Sequence, residues 1–177
     1  FGALPDVSGE ICLNGEPVSC KKPHDAIAAG IALAPENRKE QGLVQIFSIM
    51  QNVTLANLRG IYTKPHTLNL NKERAVADSY IQSLNIRTPD ALKRVQELSG
   101  GNQQKVIVGK WLFTNAKVII FDEPTKGIDV GAKAEIYRTM RRLADEGVAV
   151  IMVSSELPEV IGVSDRILVM HEGRLKG

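Results

Sequence analysis

"VIIFDEPTKGID", residues 118–129, is an apolar run that ends abruptly in two consecutive carboxylates, Asp122 and Glu123. A continuous apolar run of this length marks a parallel strand covered on both faces. Ligands of open α/β sheets lie outside the carboxyl ends of such strands, where these acids fall. Adjacent residues at a strand end point different ways. One carboxylate can therefore hold a metal ion while the other orients or deprotonates an attacking water. Asp122-Glu123-Pro124 also reads as a plain polar strand exit, and the stretch by itself leaves both readings open.

The flanking sequence builds an α/β frame around it. "VAVIMVS" (148–154) and "RILVM" (166–170) read as further parallel strands. Between the first two strands, "GAKAEIYRTMRRLADEG" (131–147) places Ile136, Tyr137, Met140, Leu143 and Ala144 on one helical face, and Gly147 supplies the stop. The basic residues of that helix, Lys133, Arg138, Arg141 and Arg142, read as a solvated face. Upstream, "GEICLNGEPVS" (9–19) is a pair of β-type runs around Asn14-Gly15, a strong hairpin signal. "KPHDAIAAG" (22–30) reads as a short helix stopped by Gly30, "IALAP" (31–35) as a brief strand, and "ENRKEQG" (36–42) as a charged loop. From Ile46 to Leu98 the apolar residues take helical spacing, broken by a loop at 63–67. That segment reads as an all-helical lobe inserted in the α/β body.

"ELSGGNQQKV" (97–106) raises a second chemical question. A helix starts at about residue 100, with Val106, Ile107, Val108, Trp111 and Leu112 as its apolar side. Ser99 Oγ, the N–H groups of Gly100 and Gly101 and the helix dipole together make an anion site that needs no lysine. Ser99 is equally readable as a simple N-cap, with the glycines marking a loop. The chain holds no G-x-x-x-x-G-K-[S/T] phosphate loop of its own; Gly109-Lys110 is followed by Trp111 and lies inside the helix.

Bulk properties narrow the classes. At 177 residues the chain suits one domain with a lobe, burying roughly 70% of its unfolded surface. A net charge of +2 makes no electrostatic case for nucleic acid or a membrane surface. Cys12 and Cys20 fit neither a redox pair nor a zinc knuckle and read as reduced and structural; His24, His66 and His171 are scattered. No apolar run approaches the roughly 20 residues needed to cross a bilayer. The chain begins at Phe1 with no initiator Met or signal region and reads as a piece of a longer polypeptide.

The order of these features is more specific than any one of them: a helical lobe, "LSGG", a helix, a strand ending "DE", "GID", then a strand ending "SSE". In this order the sequence resembles the ATP-binding domain of ABC transporters over essentially its whole length. "LSGGNQQ" looks like the signature motif, "VIIFDEP" like the Walker B strand with its glutamate, and "GID" (127–129) like the D-loop. "APENRKEQGL" (34–43) and "VSSELPEVIGVSDRILVMHEGRL" resemble more closely the second half of the fused double ATPases of bacterial monosaccharide importers of the ribose, xylose and galactose type.

The resemblance implies a P-loop NTPase-like parallel sheet core at 1–45 and 99–177, an N-terminal antiparallel β element and an inserted helical lobe at about 46–98. It implies ATP and Mg²⁺ as cofactors. Ser99, Gly100, Gly101 and Asn102 would bind the γ-phosphate of a nucleotide held by a second ATP-binding domain in a head-to-tail pair. Asp122 would be the Mg²⁺-linked acid, Glu123 the general base and Asp129 the group reaching the opposite site, with helix capping as an alternative for Asp129. Glu36 occupies the usual Q-loop glutamine position, Ser155 the position of the switch histidine and Asn102 that of the signature glutamine. The implied partners are that second domain, transmembrane permease subunits docked by the lobe and, indirectly, a periplasmic sugar-binding protein, with no nucleic acid. The implied location is the cytoplasmic face of the bacterial inner membrane. A phosphate loop lost upstream predicts weak nucleotide binding by this piece alone. A catalytically degenerate half that acts as a coupling module is the alternative function.

Overall fold

The computed structural model describes residues 1–2, 8–64 and 67–176, so His66 and part of the expected 63–67 loop lie outside the described residues. Strands β1 (Cys12–Leu13) and β2 (Glu16–Pro17) form the expected antiparallel hairpin. Its corner takes positive φ at both Asn14 and Gly15, as the two-residue turn that matches strand twist requires. Helix α1 (Pro23–Ala29) starts on Pro23 and ends at Gly30, which takes the left-handed conformation. Strand β3 (Ile31–Ala34) follows directly.

The "ENRKEQG" segment is more ordered than the loop it reads as. Residues Arg38–Gly42 form a π-helical turn capped by Asn37, whose side chain accepts from Glu40 N. Helix α2 (Ile49–Thr54) begins with a reciprocal capping box between Ser48 and Gln51 and runs into a 3₁₀ segment at Leu55–Ile61. Strands β4 (Tyr62–Lys64) and β5 (Thr67–Leu68) then pair as a small antiparallel hairpin, so residues 46–98 are not all-helical. Helix α3 (Leu70–Ser83) and a 3₁₀ turn at Val95–Glu97 complete that stretch.

Helix α4 (Gly100–Leu112) starts where expected, but it is buried on almost every side rather than along one apolar face. Most of the buried polar side chains on it find partners, the Gln104 amide being an exception. Gln103 donates to Val95 O, Lys105 to Glu135 and Asn85 O, and Lys110 to Gly42 O. Burial pushes the Lys110 amine down to about 8.

Strand β6 (Val118–Asp122) lies at the centre of a three-stranded parallel sheet, between β3 and β7 (Ala149–Val153). Its register aligns Ala32, Ile119 and Val150 on one face, followed by Ala34, Phe121 and Met152. That face packs against α4 and against α5 (Val130–Asp145) to form the core. The buried stripe of α5 is Ile136, Thr139, Met140 and Leu143, at i, i+3, i+4 and i+7; Ala144, expected inside, is exposed.

The opposite sheet face carries Leu33, Ile120 and Ile151, and there Ile151 and Val153 are half exposed, so β7 is covered on one face rather than two. An apolar run does not encode which faces are covered when the strand sits at a sheet edge. After α6 (Leu157–Val163) the "RILVM" stretch departs from expectation again: it does not join the parallel sheet. Glu172 and Gly173 both take positive φ, and this tight turn folds β8 (Met170–His171) onto β9 (Arg174–Leu175). Leu168, Val169 and Met170 are each more than half exposed.

One-sided burial of the sheet gives an expected contrast. Phe121→Ala, at a fully buried site, should cost about 3–5 kcal/mol in urea denaturation. Ile151→Ala should cost about 1 kcal/mol, because half its surface already meets solvent. Equal losses at the two sites would contradict the one-sided core.

Candidate functional site

The carboxyl ends of β3, β6 and β7 gather the acids that the sequence singles out. Glu123 follows β6 with φ at 46°, a left-handed conformation that a non-glycine residue adopts at a cost and that tends to mark function. Its backbone N–H donates to Val153 O at 2.9 Å, and its Oε1 accepts from Ser155 N at 2.8 Å. The candidate base is thus held to the turn after β7. Glu36, two residues past β3, pairs with Lys126 Nζ at 2.5 Å.

Asp122 stands among like charges. Burial first, then Glu36 and Glu123, push its carboxyl above the usual carboxylate range against the opposing pull of Lys126. A carboxylate held among like charges attracts a cation. Among the described residues no group of three or more His, Cys, Asp and Glu side chains is arranged to cage a metal with protein ligands alone.

The second group of candidates lines a separate cleft of about 260 Å³ at the N-termini of α4 and α5. Ser99, Gly101, Asn102 and Asp129 all border it, together with Arg87 and Glu135. Ser99 sits at the N-cap position and is exposed, yet its hydroxyl makes no cap bond to the helix. Instead Ser99 Oγ accepts from Asn102 Nδ2 at 3.0 Å, while Asn102 Oδ1 accepts from Arg87 N at 2.9 Å. The Ser99 hydroxyl hydrogen and the first-turn N–H groups stay available to an anion. Asp129 does cap α5, its Oδ1 accepting from Ala132 N at 2.9 Å.

Gly101 makes this arrangement possible by close approach. A Cβ placed on it would lie 3.0 Å from the Ala132 Cβ, so α4 and α5 touch there. Gly100 is not among the residues bordering the cleft; it abuts Arg38, whose Nη2 lies 3.2 Å from the position a Cβ would take. Arg38 also donates through Nη1 to Lys126 O at 2.8 Å. It therefore stands between the two groups of candidates, with burial lowering its pKa.

Sequence reasoning missed the residues that hold these groups in place. Glu135 bonds both Lys105 Nζ at 2.7 Å and Arg87 Nη2 at 2.9 Å, and Lys105 in turn lowers the Glu135 carboxyl. Neither Glu135 nor Arg87 carries a local sequence signal, because the contact joins positions 48 residues apart. Arg38 lies inside the dense charge cluster of "ENRKEQG", which was a signal without an assigned partner.

Two helix N-termini opening on one cleft, beside a parallel sheet that ends in paired acids, define an ATP-binding-cassette type of domain. The family model described as ABC transporter matches residues 1–126, and the chain belongs to this family. Among its relatives, the xylose import ATP-binding protein XylG of Photobacterium profundum is 51% identical over 170 residues, covering 96% of this chain and 33% of the relative. The ribose import ATP-binding protein RbsA of Hahella chejuensis is 48% identical over 175 residues, covering 99% of this chain and 35% of the relative. The chain thus spans about a third of the length of the curated relatives it matches. A crystal structure of a nucleotide-free ATP-binding cassette from an ABC transporter superposes with a TM-score of 0.79 at 22% identity, covering 99% of this chain and 71% of that one.

The raised Asp122 carboxyl carries a stability consequence. Its native pKa lies above the unfolded value, so the folded chain binds the proton more tightly and the ionised acid destabilises at neutral pH. That penalty fades as pH falls through the native pKa toward the ordinary value of about 4. Asp122→Asn is expected to raise the melting temperature at neutral pH. The gain should shrink on acidification. A lower melting temperature for the variant at neutral pH would contradict the repulsion.

Proposed function

We propose that this chain is the signature-bearing and Walker B-bearing part of an ATPase that powers monosaccharide import. One observation carries the reading. Ser99, Gly101, Asn102 and Asp129 border one exposed cleft, while Asp122 and Glu123 sit outside its lining at the strand ends. A single chain then holds halves of two different phosphate sites, as a head-to-tail pair of ATP-binding domains needs. The names of the relatives, xylose and ribose import ATP-binding proteins, support the substrate class.

In the proposed pair, Ser99, Gly100, Gly101 and Asn102 meet the γ-phosphate of ATP held by the second domain. Charge-assisted bonds from N–H and O–H donors at a helix N-terminus stabilise such an anion. At this chain's own acid end, Glu123 accepts a proton from the attacking water. The water oxygen bonds to the γ-phosphorus as the bond to the β–γ bridging oxygen breaks, leaving ADP and phosphate.

Asp122 suits Mg²⁺, which takes one or two carboxylates plus nucleotide phosphates and water rather than an all-protein cage. When bound, the ion supplies neutralisation of phosphate charge. Ser155 cannot play the imidazole part of a switch histidine; its backbone N–H orients Glu123 instead. Glu36, paired with Lys126, is an acceptor close to that centre. Asp129 caps α5 and reaches toward the opposite site.

The segment at about 46–98 is the proposed contact for transmembrane permease subunits, which in turn meet a periplasmic sugar-binding protein. No helix among the described residues is long and apolar enough to cross a membrane. The subunit accordingly lies at the cytoplasmic face of the inner membrane through its permease partners. Nucleic acid has no part in this reading.

The deciding experiment uses the full-length protein reconstituted with its permease. Glu123→Gln, which keeps shape and removes the base, is expected to lower ATP turnover by about 10²–10⁴-fold, the range for general-base loss. Sugar uptake should fall with it. Unchanged turnover would assign this half to coupling rather than hydrolysis.

A further inference from the structure

Helix α6 is packed in an unusual sense. Its apolar residues Leu157 and Ile161 are 65% and 63% exposed, and its one buried residue is a carboxylate, Glu159, at 5%. Burying a carboxylate is costly unless donors meet it. Glu159 Oε2 accepts two hydroxyls: Thr125 Oγ1 at 2.9 Å and Ser154 Oγ at 3.1 Å. Thr125, itself 1% exposed, lies two residues after Glu123, and Ser154 immediately precedes Ser155. The same Ser154 Oγ accepts from Glu156 N at 3.0 Å, so the hydroxyl also shapes its own turn. One buried oxygen therefore spans the turn after β6 and the turn after β7, the two turns whose separation sets the 2.8 Å contact between Glu123 and Ser155 N.

We propose that Glu159 is a positioning residue for ATP hydrolysis: through Thr125 and Ser154 it fixes the distance between the turn that aims Glu123 and the turn that holds it. This rests on the reading of Glu123 as the base. Glu159 need not touch nucleotide or water. Glu123 carries a strained backbone, and its carboxylate accepts a hydrogen bond from the Ser155 amide, so a small relative shift of the two turns re-aims it. The chemistry step suffers while nucleotide binding does not.

The test compares Glu159→Leu, Glu159→Gln and Thr125→Val in the full-length protein, by steady-state ATPase kinetics and melting temperature. Glu159→Leu removes both hydrogen bonds. Thr125→Val removes one while keeping shape. Glu159→Gln keeps an acceptor oxygen for the two hydroxyls. The expected result is a fall in kcat of at least about five-fold for Leu and Val, a KM for MgATP within about two-fold, and at least about half of kcat retained by Gln. Unchanged kcat in folded Leu and Val variants overturns the proposal, as does a parallel loss of kcat and rise of KM in all three. If the Leu variant does not fold, Thr125→Val decides by the same criteria. Failure of the underlying reading looks different: Glu123→Gln itself would then leave turnover intact.

Discussion

The contact between Gly101 and Ala132 is the constraint on which the site depends. Two helices can bring their N-termini to one cleft only if their first turns nearly touch, and side chains at both positions would hold them apart. With no Cβ on one helix and a methyl on the other, α4 and α5 meet. The Asn102–Ser99 bond, the Asp129 cap and the Glu135–Lys105 pair then all fall within a turn or so of that contact. The two positive dipole ends add in one direction. Lys105 is 3% exposed, so its charge is felt in a medium far less screening than water, and Glu135 balances it.

Among the acids at the strand ends the charge balance is reversed. Burial, Glu36 and Glu123 raise the cost of ionising Asp122, and Lys126 compensates only in part. A cation placed beside these acids would meet attraction from the same charges that repel one another.

The sequence reveals elements whose signal is local and conceals those whose partner is distant. Asn14-Gly15, Gly30 and Gly147 are legible because their φ values are set by adjacent residues. The start of α4 is legible because glycines and a serine precede an unbroken helical pattern. "RILVM" misleads because its apolar run is the same whether a parallel neighbour or a tight Glu172-Gly173 turn claims it, and the turn is the nearer partner. The π turn at Arg38–Gly42 is hidden for the opposite reason. Its composition is that of a loop, and only packing against α4 gives it order. Among the site residues, Asp122, Glu123 and the "LSGG" group emerge from motif order, whereas Arg87, Glu135 and Glu159 act across 34 to 48 residues of separation and have no local mark.

That π turn also explains how two separate groups of functional residues stay in fixed relation. Arg38, at its start, reaches Gly100 at the N-terminus of α4 and Lys126 O beyond the acids. Gly42, at its end, accepts from the buried Lys110 near the C-terminus of the same helix at 2.6 Å, and its missing Cβ leaves room for Ile107 Cδ1. The turn is therefore tied at its end to α4 through the buried Lys110 and at its start to the turn after β6 through Arg38, which also packs on Gly100. Glu36, just upstream, is tied to Lys126. A displacement of this short segment costs the buried Lys110 its carbonyl partner at one end and the half-buried Arg38 its bond to Lys126 O at the other. The charged stretch that reads as the least structured part of the chain is a link between α4 and the turn after β6.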